Sequence, residues 1–253
     1  MRMPLKICAL ASGSKGNCIF IGSRRTSLLL DAGVCAKRIN AALQSIGEQL
    51  PNDILLSHTH SDHFRYVPAL TEKGMTLHYG HIMRRFVDVP GAEEFSGDIC
   101  IGDITVSPFS VSHDVPCYGY SFYSEGSKVT VVTDLGFMPK ATLEAISDSD
   151  AVLIESNYDK DMLAANPNYP AHLKARISGS RGHLSNADAA ECVAYLAGKG
   201  VKNIILGHLS EQNNTPEIAL AGAENALIKY NLSGAAKITA AGQRQVSEVI
   251  EVS

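Results

Sequence analysis

Short apolar runs separated by Gly, Ser and Asn dominate the chain and predict β-strands. We expect strands at residues 5–11, 18–21, 27–30, 54–56, 77–79, 104–107, 118–123, 128–133, 151–155, 203–206, 237–240 and 246–252. Helical spacing of apolar residues predicts helices at residues 36–46 and 140–146. Two further helices are predicted from the N-cap Ser185 to about Leu196, with Gly198 and Gly200 ending it, and from Thr215-Pro216 onward.

One long segment and one repeated pattern depart from this alternation. Residues 157–181 are polar, rich in Pro, Asn and Gly, and lack periodicity, which predicts a long functional loop. Residues 28–33 and 131–136 share an apolar strand, an Asp at its end, and a Gly two residues later. This echo suggests two similar halves of sheet plus helix packed face to face.

Composition limits the class of protein. The 253 residues are 45% hydrophobic and 19% charged, which is typical of a soluble globular protein, and we expect one domain over residues 1–253. The net charge of the chain is −4, so a polyanionic substrate would have to be bound by a local basic patch or by bound metals. Six scattered Cys without a Cys-x-x-Cys pair favour reduced thiols in the cytoplasm. The apolar run at 7–11 is too short for a signal peptide, and no run reaches membrane-spanning length.

The densest chemical signal is the run His58-Thr59-His60-Ser61-Asp62-His63. On the extended backbone that ends the strand at 54–56, the alternate residues His58 and His60 point to the same side. Clustered His and Asp are costly to desolvate unless a cation binds them. The run therefore predicts metal binding, and its ligand number favours two neighbouring cations over one. The alternative is a polar, His-rich surface loop.

Three later residues would complete two metal sites. His113, Asp134 and His208 each follow an apolar strand, at the edge where layered sheet folds bind ligands. Taken alone, each is better explained as a capping or hydrogen-bonded surface residue. Together with the turn they supply five His and two Asp, which suits two divalent ions such as Zn, Mn or Fe.

His-x-His-x-Asp-His after an apolar strand resembles the metallo-β-lactamase superfamily of binuclear hydrolases. The resemblance implies an α/β fold, a four-layer αββα sandwich. It also implies one metal on His58, His60 and His113, a second on Asp62, His63 and His208, and Asp134 as the bridge between them. Asp31 matches the superfamily's buried structural Asp, which supports a ligand instead of binding metal.

The ligands cannot choose the substrate, so other residues must. His183 lies just before a predicted helix N-terminus, where free N–H groups and the helix dipole favour an anion. Ser185 adds a hydroxyl, and Lys174, Arg176 and Arg181 form a local basic patch. The alternative is an ordinary capped helix with solvated basic side chains nearby.

Residues 12–17, 155–157, 169–177 and 182–186 resemble the YycJ/WalJ group of bacterial proteins with this fold. That resemblance implies phosphodiester hydrolysis, with exonuclease action on DNA from a 5′ end. We expect nucleic acid as the partner, DNA more than RNA, with no membrane and no obligate protein partner. The expected mechanism is attack by a metal-bridging hydroxide, with Asp62 and His183 as catalytic residues. Expected phosphate-binding residues are His183, Ser185, Asn186, Asn157 and Arg176.

Two other classes of function stay open. A small-molecule thioesterase or lactonase would share all seven ligands, and a metal-stabilised binding protein would need no catalysis. A flavodiiron-type redox protein is disfavoured, because it would replace one His of the turn with Glu and carry a flavin domain.

Overall fold

The computed structural model describes residues 5–252, and two mixed sheets form its centre. The strands of the first sheet are β1 (Leu5–Ala11), β2 (Cys18–Gly22), β3 (Ser27–Leu30), β4 (Asp53–Leu56), β5 (Thr76–Gly80), β6 (Glu93–Phe95) and β14 (Ile250–Val252), in the order β14-β1-β2-β3-β4-β5-β6. The strands of the second are β7 (Ile99–Ile101), β8 (Ile104–Ser110), β9 (Tyr118–Ser124), β10 (Ser127–Val132), β11 (Ala151–Glu155), β12 (Asn203–Gly207) and β13 (Lys237–Ala240), in the order β13-β12-β11-β10-β9-β8-β7.

The helices flank these sheets or fill the connections at their edges. They are α1 (Ala36–Ser45), α2 (Ser61–Phe64), α3 (Val67–Thr71), α4 (Lys140–Ala145), α5 (Lys160–Ala165), α6 (Ala171–Ile177), α7 (Asn186–Lys199) and α8 (Pro216–Lys229), with a 3₁₀ turn at His81–Met83. Ser185 caps α7, because its hydroxyl accepts a hydrogen bond from the backbone N–H of Asp188. Gly200 ends α7 in the left-handed conformation, with φ of 105°.

The central strands are buried on both faces, and their alternate side chains pack in different cores. Val131 and Leu153 point into the core between the two sheets, which also contains Tyr120. Their neighbours Val132 and Ile154 pack on the outer face of the second sheet, in the cluster that includes apolar residues of α7 and α8. On the other side, α1 and α3 pack against the first sheet. The layers are therefore helix, sheet, sheet and helix, which confirms the predicted αββα sandwich.

The repeated Asp motif lies at the same place in both sheets. β3 pairs antiparallel with β2 and parallel with β4, and β10 pairs antiparallel with β9 and parallel with β11. Asp31 and Asp134 follow these two junction strands, with φ of 65° and 61°. The sequence echo therefore marks the strand at which each sheet changes from antiparallel to parallel pairing.

Several predicted elements need correction. The segment 157–181 contains α5 and α6, which are too short to show a helical period. The last strand begins at Ile250 instead of Val246, and α7 continues through Gly198 to Lys199. The short strands β6 and β7 were not predicted. Within residues 5–252, no helix has the length and apolar character needed to cross a membrane.

Candidate metal centre

The seven predicted ligands meet where strand ends of the two sheets face each other. One ligand atom from each of His58, His60 and His113 lies within 4.8 Å of the others, and so do those of Asp62, His63 and His208. The same distance relates Asp134 to His58 and His63. A further group joins Asp134 and His208 to two residues not predicted as ligands, Glu155 and His183. The grouping matches the two predicted ligand sets and places Asp134 between them.

Two buried atoms in this cluster point to a missing cation partner. His58 Nε2 and Asp134 Oδ2 are inaccessible to solvent and have no hydrogen-bond partner. Asp134 Oδ2 lies 3.3 Å from His63 Nε2, and His63 is predicted to bind a different ion from His58. Unpaired buried polar atoms are costly unless a ligand satisfies them. The mixed imidazole and carboxylate donors therefore fit divalent transition metals such as Zn, Mn and Fe.

Buried carboxylates orient the histidines of the second set, formed by Asp62, His63 and His208. His63 Nδ1 lies 2.7 Å from Asp31 Oδ2, and His208 Nδ1 lies 2.6 Å from Glu155 Oε1. With a cation bound, each Nδ1–H would donate to its carboxylate and each Nε2 would present its lone pair to the ion. The two Nε2 atoms lie 3.5 and 3.4 Å from Asp62 Oδ2. Asp31 thus supports a ligand, as the family resemblance implied.

The first set, formed by His58, His60 and His113, is oriented mainly by neutral groups. His58 Nδ1 lies 3.0 Å from Ser57 Oγ, and His113 Nδ1 lies 3.2 Å from the carbonyl oxygen of Gly182. His113 Nε2 and His60 Nδ1 are 3.2 Å apart, so both point to one position. Since the outer nitrogens are occupied, the inner ones converge on a single ion site.

The two sets differ in their electrostatics. Burial lowers the pKa of His208, but Asp134 and hydrogen bonds to Asp62 and Glu155 outweigh it and raise the pKa to about 10. His63 is shifted the same way, against its burial, by Asp134 and Asp31. In the first set, burial lowers the pKa of both His58 and His113. The second set therefore lies in the more negative surroundings.

The carboxylates of the cluster are held ionised. Burial raises the pKa of Glu155, but the charge of His183 and hydrogen bonds from His183 and His208 outweigh it and hold the pKa at about 2. The pKa of Asp62 is lowered too, because His63 and His208 overcome the effect of burial. Ionised carboxylates with no Lys or Arg among their closest partners favour a bound cation.

Backbone strain is concentrated at the same place. Asp31, Asp134 and His208 adopt the left-handed conformation, with φ of 65°, 61° and 54°. Such values are uncommon for residues other than glycine, and they persist where the surrounding structure enforces them. All three residues come just after a strand, β3, β10 or β12. The strained backbone at these three residues therefore directs their side chains into the gap between the sheets.

The residues expected to bind phosphate separate into two kinds. His183 joins the metal centre, since its Nδ1 lies 2.9 Å from Glu155 Oε1 and its side chain is 22% exposed. Asn157, Ser185 and Asn186 are buried and bonded internally. Asn157 Nδ2 donates to the carbonyl of His208 at 2.7 Å, Ser185 caps α7, and Asn186 binds Ser156 and Asn214.

Arg176 has a protein partner of its own. Its Nε and Nη2 donate to Asp114 Oδ2 at 2.8 and 2.5 Å, while 60% of its side chain remains exposed. Burial raises the pKa of Asp114, but hydrogen bonding from Arg176 outweighs it, so the pKa is lowered. The geometry therefore shows hydrogen bonds within the protein for Asn157, Ser185, Asn186 and Arg176. Direct binding of phosphate by these residues stays a prediction.

Besides Ser57, sequence reasoning missed the roles of four residues that contact the predicted ligands. Glu155 ends β11, between the strands that precede Asp134 and His208, and its strand-end position was the available signal. Asn17 Nδ2 lies 2.9 Å from His63 Nε2, and Ser12 Oγ accepts a hydrogen bond from the backbone N–H of His208 at 2.7 Å. These two lie in the polar turn after β1. Asp114 follows His113 directly and was not considered.

Comparison with known proteins identifies the family. The model of the beta-lactamase superfamily domain matches residues 26–209, which include all seven predicted ligands. The chain belongs to the metallo-β-lactamase superfamily. Curated relatives include the exodeoxyribonuclease WalJ of Streptococcus pneumoniae, 34% identical over 243 residues and 90% of each chain. The exodeoxyribonuclease YycJ of Bacillus anthracis is 35% identical over 232 residues, 86% of this chain and 87% of its own. The predicted similarity to the YycJ/WalJ group of the superfamily is thereby confirmed.

Solved structures of the superfamily share the fold. YhfI of Bacillus subtilis aligns with a TM-score of 0.71 and 15% identity, over 98% of this chain and 100% of its own. Zn²⁺-bound PqqB of Methylobacterium extorquens aligns with a TM-score of 0.68 and 15% identity, over 96% and 99% of the two chains. At this identity the likeness shows the metallo-β-lactamase fold alone.

Proposed function

We propose that this chain is a metal-dependent nuclease that degrades DNA from a 5′ end, with residues 1–253 acting as one catalytic domain. The observation that carries the proposal is the convergence of seven ligand side chains around the unpaired atoms His58 Nε2 and Asp134 Oδ2. Relatives at 34–35% identity named as exodeoxyribonucleases support DNA as the substrate. The proposed cofactors are two divalent ions, one on each ligand set, with Asp134 shared.

Asp62 and His183 are the proposed catalytic residues. Bound divalent ions lower the pKa of water and polarise a phosphoryl oxygen. Asp62 Oδ2 lies beside His63 Nε2 and His208 Nε2, is ionised and is partly exposed, so it can orient the attacking water and accept its proton. His183 Nδ1 donates to Glu155, which leaves Nε2 to contact a phosphate oxygen or the leaving oxygen.

A neighbouring cavity is the proposed site for the DNA strand. It encloses about 530 Å³ and is lined by Gly136, Tyr158, Lys160, Leu163, Ala164, Lys174, Ser178 and Asp188. Gly136 lies two residues after Asp134, and Tyr158 follows Asn157, which binds His208. Its two lysines can meet backbone phosphates despite the net negative charge of the chain.

A direct assay tests the reaction class. Metal-free protein is reloaded with Mn²⁺ or Zn²⁺ and incubated with single- and double-stranded DNA and RNA labelled at either end, with a thioester in parallel. We expect metal-dependent release of nucleotides from the 5′ end of DNA and no activity with a chelator. Thioester hydrolysis without DNA cleavage would favour an acyl hydrolase, and metal binding without turnover would favour a binding protein.

His183→Ala tests the catalytic assignment. General acid–base residues contribute about 10²–10⁴-fold, so we expect kcat on DNA to fall by about a hundredfold or more. Metal content should stay at the wild-type level, because His183 belongs to neither proposed ligand set and its Nδ1 faces Glu155 at 2.9 Å and Asp134 at 3.7 Å. His172→Ala, an exposed histidine of α6, is the matched control. Loss of metal in His183→Ala would assign it to the ligands instead.

A further inference from the structure

The five ligand histidines can be compared by what their outer nitrogen contacts. The partners are Ser57 Oγ for His58, Asp31 for His63, the Gly182 carbonyl for His113 and Glu155 for His208. The outer nitrogen of His60, Nε2, lies 3.2 Å from Asp114 Oδ1. Asp114 thus lies at the outer nitrogen of His60, as the other four partners do for their histidines, and its Oδ1 also lies 3.4 Å from His113 Nε2.

Asp114 is held in place from its far side. Arg176 binds Oδ2 through Nε and Nη2, and Arg181 donates to the carbonyl oxygens of His113 and Asp114 at 2.9 and 3.0 Å. Asp114 Oδ1 is buried and has no hydrogen-bond partner of good geometry, although the side chain as a whole is 30% exposed. The carboxylate is therefore fixed by α6 and the residues after it, with one oxygen turned towards the histidines.

We propose that Asp114 is a positioning residue of the metal centre, and that Arg176 acts through it. In this role Oδ1 accepts the Nε2–H of His60, which fixes the tautomer and the ring so that Nδ1 faces the ion. The inference rests on the proposed metal centre and assigns Arg176 to it, instead of to the substrate phosphate. The chemistry is the carboxylate–histidine–metal arrangement already seen around His63 and His208.

Metal titration of variants tests this role. Wild type, Asp114→Asn, Asp114→Ala and Arg176→Ala are stripped of metal and titrated with Zn²⁺ or Mn²⁺ by calorimetry, and kcat and KM are measured on DNA. Asp103→Ala is the matched control, because Asp103 also pairs with an arginine, Arg25, on a distant turn. Thermal melting of each metal-free variant checks that it is folded.

We expect Asp114→Ala to lose about 10- to 100-fold in affinity for one ion of the two, with the other ion unaffected. Asp114→Asn should lose less, because its amide oxygen can still accept from His60 Nε2. Arg176→Ala should weaken the same ion while KM for DNA stays within about twofold of wild type. The control should match wild type in both measurements.

Three outcomes would overturn the proposal. Wild-type affinity in folded Asp114→Ala would exclude the positioning role. Equal and complete loss of the ion in the Asn and Ala variants would show that Oδ1 binds the metal itself. A raised KM in Arg176→Ala with unchanged metal affinity would assign Arg176 to the phosphate. A wild-type protein that binds no divalent ion would instead refute the metal centre, and with it the proposed function.

Discussion

The two ligand sets have similar histidines but different surroundings. Behind the second set lie Asp31 and Glu155, which are fully buried carboxylates. Behind the first set lie a serine hydroxyl, a backbone carbonyl and the partly exposed Asp114. A carboxylate on the outer nitrogen makes an imidazole a more basic ligand than a neutral acceptor does. We therefore expect the second set to hold its ion more tightly.

The difference appears in the protonation of the histidines as well. The pKa of His63 and His208 is raised by neighbouring carboxylates, whereas the pKa of His58 and His113 is lowered by burial. The same fold thus contains one strongly negative set of predicted ligands beside one that is closer to neutral. Such an arrangement favours one firmly held ion and one that exchanges with solution more readily.

Asp134→Asn should abolish the distinction between the sets, because Asp134 contacts both. Asparagine tolerates the left-handed backbone at this position, so the change removes charge with little added strain. We expect the rate of DNA cleavage to fall by about a thousandfold, which corresponds to several kcal/mol of lost transition-state stabilisation. Both ions should also bind more weakly. Single-turnover kinetics and metal titration measure the two effects. Unchanged activity would refute a shared role, and Asp148→Asn, on an exposed aspartate, is the control.

Glu155→Gln should affect the second set alone. Glu155 Oε1 accepts from His183 and His208, and Oε2 accepts from the backbone N–H groups of Leu135 and Leu184, so an uncharged amide loses one acceptor oxygen and places an NH₂ against donors. We expect a loss of about 10- to 100-fold in affinity for the tighter ion, with the weaker ion unchanged. Calorimetric titration of metal-free protein measures both ions. The control is Asp53→Asn, which alters a carboxylate on β4 that pairs with His78 on β5. It should leave both affinities unchanged. Equal weakening of the two ions would contradict the independence of the sets.

Ser57→Ala should affect the first set more than the second, and only slightly. It removes the hydroxyl beside His58 Nδ1, which also donates to Asp31 Oδ2 at 2.7 Å, but Asp31 keeps His63 Nδ1 and the backbone N–H of residue 57 as partners. Loss of one neutral hydrogen bond is worth about 1 kcal/mol, so we expect roughly fivefold weaker binding of the weaker ion. Ser121→Ala, at another buried serine, controls for the loss of a buried hydroxyl. A larger effect on the tighter ion would reverse the assignment.

The sequence predicted best those features that depend on neighbouring residues. The run from His58 to His63 is local, so its composition alone marked a metal site. His113, Asp134 and His208 were found because strand ends are recognisable from apolar runs, and the structure brings them to one gap. The supporting role of Asp31 was predicted from the family resemblance. The fold followed from the family resemblance and is confirmed by the two packed sheets.

Features that depend on distant contacts were missed. Glu155 meets His208 across 53 residues, and Asp114 meets Arg176 across 62, so no local pattern reveals either pair. Ser185 and Asn186 were predicted to bind phosphate from their polar character, and the structure adds that both are buried and hydrogen-bonded within the protein. Their contact with a phosphate stays a prediction.

The origin of the ligands has a consequence for folding. His58, His60, Asp62 and His63 come from the first sheet, and His113, Asp134 and His208 come from the second. An ion bound to both sheets joins them as a cross-link, and neither ligand set with Asp134 is complete until the sheets have packed. Metal uptake should therefore be a late step of folding. At an ion concentration a hundred times Kd it would add about 2.7 kcal/mol to the free energy of unfolding.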